Sequence, residues 1–477
     1  MKKLYKSLLF SALALGLAAC DFETENYQQI PSGSEYQTVQ DVQNGMHGAY
    51  YALGSYRFLG NYAVAYGDFC AGISDGSSSS GHFYSQSNWI IDETTGETAD
   101  IWQYGFQVID RCTRTIAGAQ KVLADESLHL TAADEAEVNL YVAQCYAMKA
   151  LANYYLVNLF AYPYSAGTDN LGLPLVKDEP IEAFETIDRS TVGETYTQIT
   201  DDIAAAEAAL DAALAGGASD PGAFYMGAMG IEALKARVYL SMGRYADAET
   251  AAKNAIRLKG TGDGTGSDNT PNKDAYLSMW TSLAVTDEDL FTIAKNESDN
   301  LSANALNTLY GSYLCTLSNY TLGLYDDADY RLELVSRPSI GKYQGLSTSA
   351  ATSNIPIFRK SEMSLIIAEV EARNGHIAEA QKYLYYTAKR NEAITGADQL
   401  PDNTADLLAF ISDERVREFA GEGHRFYDAR RMGDQVELAI SAQPFDIAKF
   451  VFPIPADEIN AGFCTQQNEG WSDALPQ

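Results

Sequence analysis

The 477-residue sequence carries 64 acidic against 33 basic residues, a formal charge of −31, and is rich in tyrosine (31) but poor in tryptophan (four). That balance excludes nucleic-acid binding through a basic footprint, because neutralising phosphates takes clustered Lys and Arg. It suits solubility in an external medium, and although the length alone allows about three domains, the periodicity described below predicts one large core.

The chain opens with Lys2, Lys3 and Lys6 and the apolar run SLLFSALALGLAAC ending at Cys20. The apolar part is shorter than the roughly 20 residues needed to span a bilayer, so residues 1–19 read as a signal peptide. LAAC is the lipobox pattern of bacterial lipoproteins, in which the cysteine thiol takes a diacylglycerol and becomes the mature N-terminus. Each buried acyl CH₂ is worth about 0.8 kcal/mol, so a multiply acylated Cys20 holds the chain on a membrane without crossing it. Removing residues 1–19 deletes three lysines and no acid, leaving −34. Residues 20–36 are acidic and polar without apolar periodicity, the composition of a flexible tether, and residues 37–477 read as a single domain.

That domain is predicted to be mainly α. Thr131 with Asp134, and Thr191 with Glu194, form capping-box patterns ahead of apolar stripes, Val138-Val142-Cys145-Met148-Ala152-Tyr155-Leu159 and Ile199-Ile203-Ala206-Leu210. Two stretches resemble one another, ALKARVYLSMGRYADAETAAKNAIRL from Ala233 and LIIAEVEARNGHIAEAQKYLYYTAKR from Leu365. In each, a glycine (Gly243, Gly375) ends one helix, an apolar residue follows (Tyr245, Ile377), and an alanine (Ala248, Ala380) lets a second helix approach, as in a tetratricopeptide unit. Flanking helix pairs predict a stacked scaffold. Long polar insertions at 74–83, 163–180, 215–224, 260–273 and 345–354 predict an irregular, loop-rich lobe with few short strands, because loops this long in a compact protein are functional or disordered.

Catalytic patterns are lacking: there is no H-E-x-x-H, P-loop, G-x-S-x-G or G-x-G-x-x-G. His47, His82, His129, His376 and His424 are isolated, and Cys70, Cys112, Cys145, Cys315 and Cys464 are widely spaced without a C-x-x-C, reading as small buried hydrophobes. YDDADY at 325–330 lacks EF-hand spacing. No catalytic residue, metal site or cofactor is therefore predicted. Aromatic rings are the stronger clue, offering apolar faces with a hydroxyl or indole N–H alongside. Of the four tryptophans, Trp102 falls in a predicted helix and Trp471 near the end, which leaves Trp89 and Trp280 as the rings expected to face solvent and ligand. Asp75 and Tyr84 accompany the first, Tyr313 and Tyr320 the second.

The densest charge lies in ERVREFAGEGHRFYDARRMG, Glu414 to Gly433, where Glu414/Arg417, Glu422/Arg425 and Asp428/Arg431 fall at i, i+3. Five arginines nearly cancel four acids, so a salt-bridged helix and turn is expected rather than an electrostatic patch. The same residues resemble the signature E-R-x-x-E-x-x-x-E-G-x-R-x-x-D-x-R-R-x-G of the SusD/RagB family, matching at Glu414, Arg415, Glu418, Glu422, Gly423, Arg425, Asp428, Arg430, Arg431 and Gly433. FRKSEMSLIIAEVEARNG is similar to the family's R-x-x-E-x-x-L-x-x-A-E-A helix, with Val370 in place of alanine. FPIPADEI and QQNEGW are similar to its closing motifs, with Trp471 in place of tyrosine. IWQYGFQVIDRCTRTI resembles its W-x-x-x-Y helix, with Phe106 for the tyrosine and Cys112-Thr113 for a small-Asn pair.

The resemblance implies a non-catalytic surface lipoprotein of Bacteroidetes outer membranes, with tetratricopeptide-like pairs and an irregular ligand lobe. Its partner would be a TonB-dependent transporter (SusC/RagA-like) and its cargo an oligosaccharide or, nearer to RagB, an oligopeptide. A surface hydrolase is the remote alternative. Acidic residues after Cys20 resemble the export signals of such lipoproteins, whereas in other Gram-negative groups an Asp there points to inner-membrane retention.

Overall fold

The computed structural model describes residues 35–181, 185–268, 272–335, 340–345, 351–441 and 443–476; the signal peptide, Cys20 and nearly all of the tether lie outside them. The first helix, α1 (Val39–Leu53), starts at a capping box in which Thr38 and Asp41 exchange hydrogen bonds. After α2 (Tyr62–Phe69) come two long helices, α3 (Gly96–Ala124) and α4 (Ala132–Phe160), then α5 (Val192–Ala215). Both predicted capping boxes form: the Asp134 carboxylate accepts from the Thr131 amide at 2.8 Å, and that of Glu194 from the Thr191 amide at 2.8 Å. Each satisfies amides that a helix start leaves without partners.

The helix pairs stack as the glycine spacing predicts. α6 (Ala228–Ser241) with α7 (Tyr245–Lys259), and α8 (Lys360–Arg373) with α9 (Ile377–Ala388), are antiparallel hairpins. Gly243 and Gly375 turn between them at φ of 72° and 77°, the left-handed region where glycine carries no Cβ penalty. Ala248 and Ala380 are fully buried where the helices meet. α7 packs on α8, and α8 on α10 (Thr404–Phe419), which leads into α11 (Arg425–Met432). α4 departs from the single apolar stripe expected of it. Residues 143–160 are buried all round except Tyr146, because α1, α3, α5 and α6 all pack against this helix.

Three two-stranded antiparallel ladders complete the described fold: β1 (Ser74–Asp75) with β5 (Thr316–Leu317), β2 (Leu171–Pro174) with β3 (Arg189–Thr191), and β4 (Asp289–Ile293) with β6 (Ile355–Arg359). Cys70, Cys112, Cys145, Cys315 and Cys464 are buried free thiols.

Candidate ligand-binding site

β1 and β5 bring two distant insertions together. Ser74 pairs with Leu317 and Asp75 with Thr316, and beyond the ladder the Ser80 hydroxyl donates to the Tyr313 carbonyl at 2.6 Å. The His82 ring then lies on the Tyr313 ring, centroids 3.6 Å apart and 22° from parallel. The result is a surface of Tyr84 (39% exposed), Leu314 (57% exposed) and the half-buried His82 and Tyr313, edged by the exposed Ser78, Ser79 and Ser80. Beneath it Phe83 is buried, stacked on Phe69 at 4.8 Å, and Phe69 stacks in turn on Tyr310 at 5.8 Å. Phe83, Trp89 and Leu314 hold φ of 50°, 53° and 60°. Bulky residues in that region cost of order 1–3 kcal/mol each and persist only where packing over-determines them. The platform is thus rigidly supported rather than loosely draped.

The ladder thus sets the segment that carries Asp75 and Tyr84 beside the one that carries Tyr313. Tyr320 follows β5 but is half-buried among the charges of Arg425, Asp413, Asp434 and Glu437. The expectation for the tryptophans is overturned. Trp89 and Trp280 are each 4% exposed. Trp89 packs edge-on against Phe445 and Phe450 at 5.0 and 4.6 Å, and Trp280 against Tyr343 at 5.7 Å with the Lys342 ammonium 4.9 Å from its ring. Both are too large and apolar to be left on a rim when a core can take them. His82 and Leu314 carry no sequence signal for this surface, since the stacking that creates it joins residues far apart in the chain.

Behind the platform the Glu414–Gly433 stretch forms a buried ion network. Glu418 accepts from Arg390 at 2.7 Å, Arg359 at 2.9 Å and Arg331 at 3.1 Å, and Glu422 from Arg359 and Lys342, each at 2.7 Å. Glu414 meets Arg331 and Arg417, each at 2.8 Å; Asp428 meets Arg415 at 2.6 Å and Arg431 at 2.9 Å. Two of the expected i, i+3 pairs are present, Glu414/Arg417 and Asp428/Arg431. The third is not: Gly421 and Gly423, at φ of 86° and 77°, break the helix, so Glu422 faces Arg359 while Arg425 pairs with Asp434 at 2.9 Å. The turn docks on α2, where the buried Asp68 carboxylate takes the Gly421 amide at 2.7 Å. Burial pushes that carboxyl up to about 7 although the Gly423 and Gly421 amides oppose it.

Two model families match the sequence: one described as SusD family over residues 330–448, and one described as Starch-binding associating with outer membrane over residues 59–217. The chain belongs to the SusD/RagB family. No curated protein matches it. A Bacteroides vulgatus protein assigned to sugar binding is 25% identical, with a TM-score of 0.77 over 92% of this chain and 99% of its own. A SusD superfamily protein of Bacteroides thetaiotaomicron is 26% identical, with a TM-score of 0.75 over 90% and 99%. A second Bacteroides vulgatus member of the superfamily, 24% identical, shares the fold with a TM-score of 0.78 over 91% and 100%.

In this SusD/RagB member the signature residues are buried, apart from the half-buried Arg431 and the exposed Gly433. Among the described residues Arg430 has no carboxylate partner; its guanidinium donates to the carbonyls of Asn158, Ala161 and Phe450, while Arg189 and Asn468 both donate to the Phe160 carbonyl. They close the C-terminal end of α4, where unpaired carbonyls and the negative end of the helix dipole favour cations. Asn468 belongs to the closing QQNEGW motif, which thereby locks the last residues of the chain onto its central helix.

Proposed function

We propose that this chain captures oligosaccharides at the cell surface without transforming them and passes them to a TonB-dependent transporter in the outer membrane. The observation that carries this reading is the solvent-facing surface of Tyr84, Tyr313, His82 and Leu314 on two zipped insertions. Ring faces take the apolar C–H faces of sugars, and the neighbouring hydroxyls of tyrosine and serine exchange hydrogen bonds with sugar hydroxyls. The matching family described as Starch-binding associating with outer membrane and the sugar-binding Bacteroides vulgatus relative support it.

Tyr313→Ala is expected to weaken oligosaccharide binding about fivefold in titration calorimetry. Base–aromatic stacking is worth about 1–3 kcal/mol per ring, and a sugar face falls at the lower end. Its melting temperature should fall only modestly, because Tyr313 is half-buried at the surface rather than in the core. Trp89→Ala should instead melt early, a core cavity costing about 3–5 kcal/mol. Capture of oligopeptides with no capture of sugars would move the reading to peptide cargo, and turnover of either would make the protein an enzyme.

Anchoring belongs to the same proposal. Acylation of Cys20 would hold the domain on the outer face of the membrane, leaving the platform free to meet cargo. Cys20→Ala should then move the folded protein from the membrane fraction to the soluble one in cells lacking the partner transporter; retention in the membrane fraction would sink the lipid anchor.

A further inference from the structure

We infer that the cargo is an uncharged oligosaccharide, and that glycans bearing carboxylate or sulfate groups are rejected; this rests on the carbohydrate reading above. Both insertions that build the platform are stripped of fixed cations. Residues 74–90 contain no Lys or Arg, and their only ionisable charges are Asp75 and His82. Residues 300–325 contain no Lys, Arg, His, Asp or Glu at all.

Cationic side chains of the described residues that surround the rings beneath these insertions already have partners. Arg57 stacks over Tyr56 at 4.9 Å, pairs with Asp100 at 3.1 Å and donates to the Tyr104 hydroxyl at 2.7 Å. Arg425, beside Tyr320, is 7% exposed and pairs with Asp434. Lys342 and Arg359 lie inside the ion network with Glu422.

An anionic sugar needs a partner when it is desolvated, and recognition of carboxylate or sulfate ordinarily falls to a bidentate arginine. This platform offers rings and hydroxyls instead, on a chain whose formal charge is −31. The field of such a chain also slows the approach of any anion. A neutral sugar meets none of these penalties.

The test uses the folded, signal-free protein on an array of neutral oligosaccharides and their uronate, sialylated and sulfated counterparts, followed by titration calorimetry on matched pairs. Neutral members should bind at least about tenfold more tightly than anionic ones at about 0.01 M salt. The gap should narrow at about 1 M salt, as the Debye length falls from about 30 Å to about 3 Å. Ser79→Lys, at an exposed turn residue, should raise the affinity for the anionic member of each pair. An anionic glycan bound by the parent protein as tightly as its neutral counterpart would overturn the charge inference and leave the carbohydrate reading standing. Capture of no glycan of either kind would overturn the carbohydrate reading itself.

Discussion

Glu418→Ala should lower the unfolding free energy by roughly 3–5 kcal/mol, the loss that follows when one member of a buried ion network is removed and its partners stay behind undercompensated. Glu418 is fully buried, and the guanidiniums of Arg331, Arg359 and Arg390 all converge on it. Deleting it leaves Arg331 with Asp329 and Glu414, Arg359 with Glu288 and Glu422, but Arg390 with the more distant Glu288 at 3.6 Å, around a void in a region of low dielectric. Arg425→Ala makes the contrast: its partner Asp434 keeps 29% of its side chain exposed, so water replaces the lost cation and the loss should be smaller. Urea unfolding of both variants checks the order, and equal stabilities would show that the network contributes no more than a surface pair.

The same residue sets an acid limit. Burial alone would raise the Glu418 carboxyl, but Arg390, Arg359 and Arg331 together hold it down to about 2 against an ordinary 4.5. The unfolded chain therefore takes up this proton at a pH where the folded one still refuses it. Stability from Glu418 is complete above about pH 4.5 and is lost as pH falls toward about 2, roughly 3 kcal/mol in all. In Glu418→Gln, that part of the acid slope should disappear while the slopes from other carboxylates remain.

Much of the scaffold was legible in the sequence because its signals are local. A capping box such as Thr131 with Asp134 is complete within four residues, and the glycine at a helical hairpin announces a left-handed φ wherever it sits. What escaped was set by distant partners. The stripe on α4 understated its burial because four helices surround it, and no periodicity within one helix reports how many neighbours arrive. Spacing pairs Glu422 with Arg425, but its partners, Arg359 and Lys342, come from β6 and from the residues preceding it. Scarcity misled for Trp89 and Trp280: being the tryptophans left outside a predicted helix and the closing motif did not make them exposed, because transfer free energy rewards burying the largest rings first. The platform was legible only as two aromatic insertions, and its decisive contact, His82 on Tyr313, exists because two residues of β1 find two of β5.

Gly67→Ala should destabilise the protein by about 3 kcal/mol or more, the upper part of what overpacking costs. In most helices the same change gains about 1 kcal/mol by restricting the unfolded chain, and Gly48→Ala on α1, whose added Cβ would meet nothing within 4 Å, should show that gain. At Gly67 the new Cβ would lie 1.9 Å from the Gly423 carbonyl oxygen and 2.4 Å from its carbon. From the other side, a Cβ on Gly423 would fall 2.2 Å from the Val64 carbonyl oxygen. Backbone meets backbone here, so no side chain can swing away and α2 itself must shift. That helix carries Tyr62, Tyr66 and Phe69, the rings that hold Phe83 beneath the platform. Gly67→Ala should therefore weaken oligosaccharide binding as well as stability, whereas Tyr313→Ala weakens binding with a much smaller loss of stability. If Gly67→Ala melts with the parent, the crossing of α2 over the Gly421–Gly423 turn is looser than these distances require; if it melts early yet binds normally, the platform stands independently of the scaffold behind it.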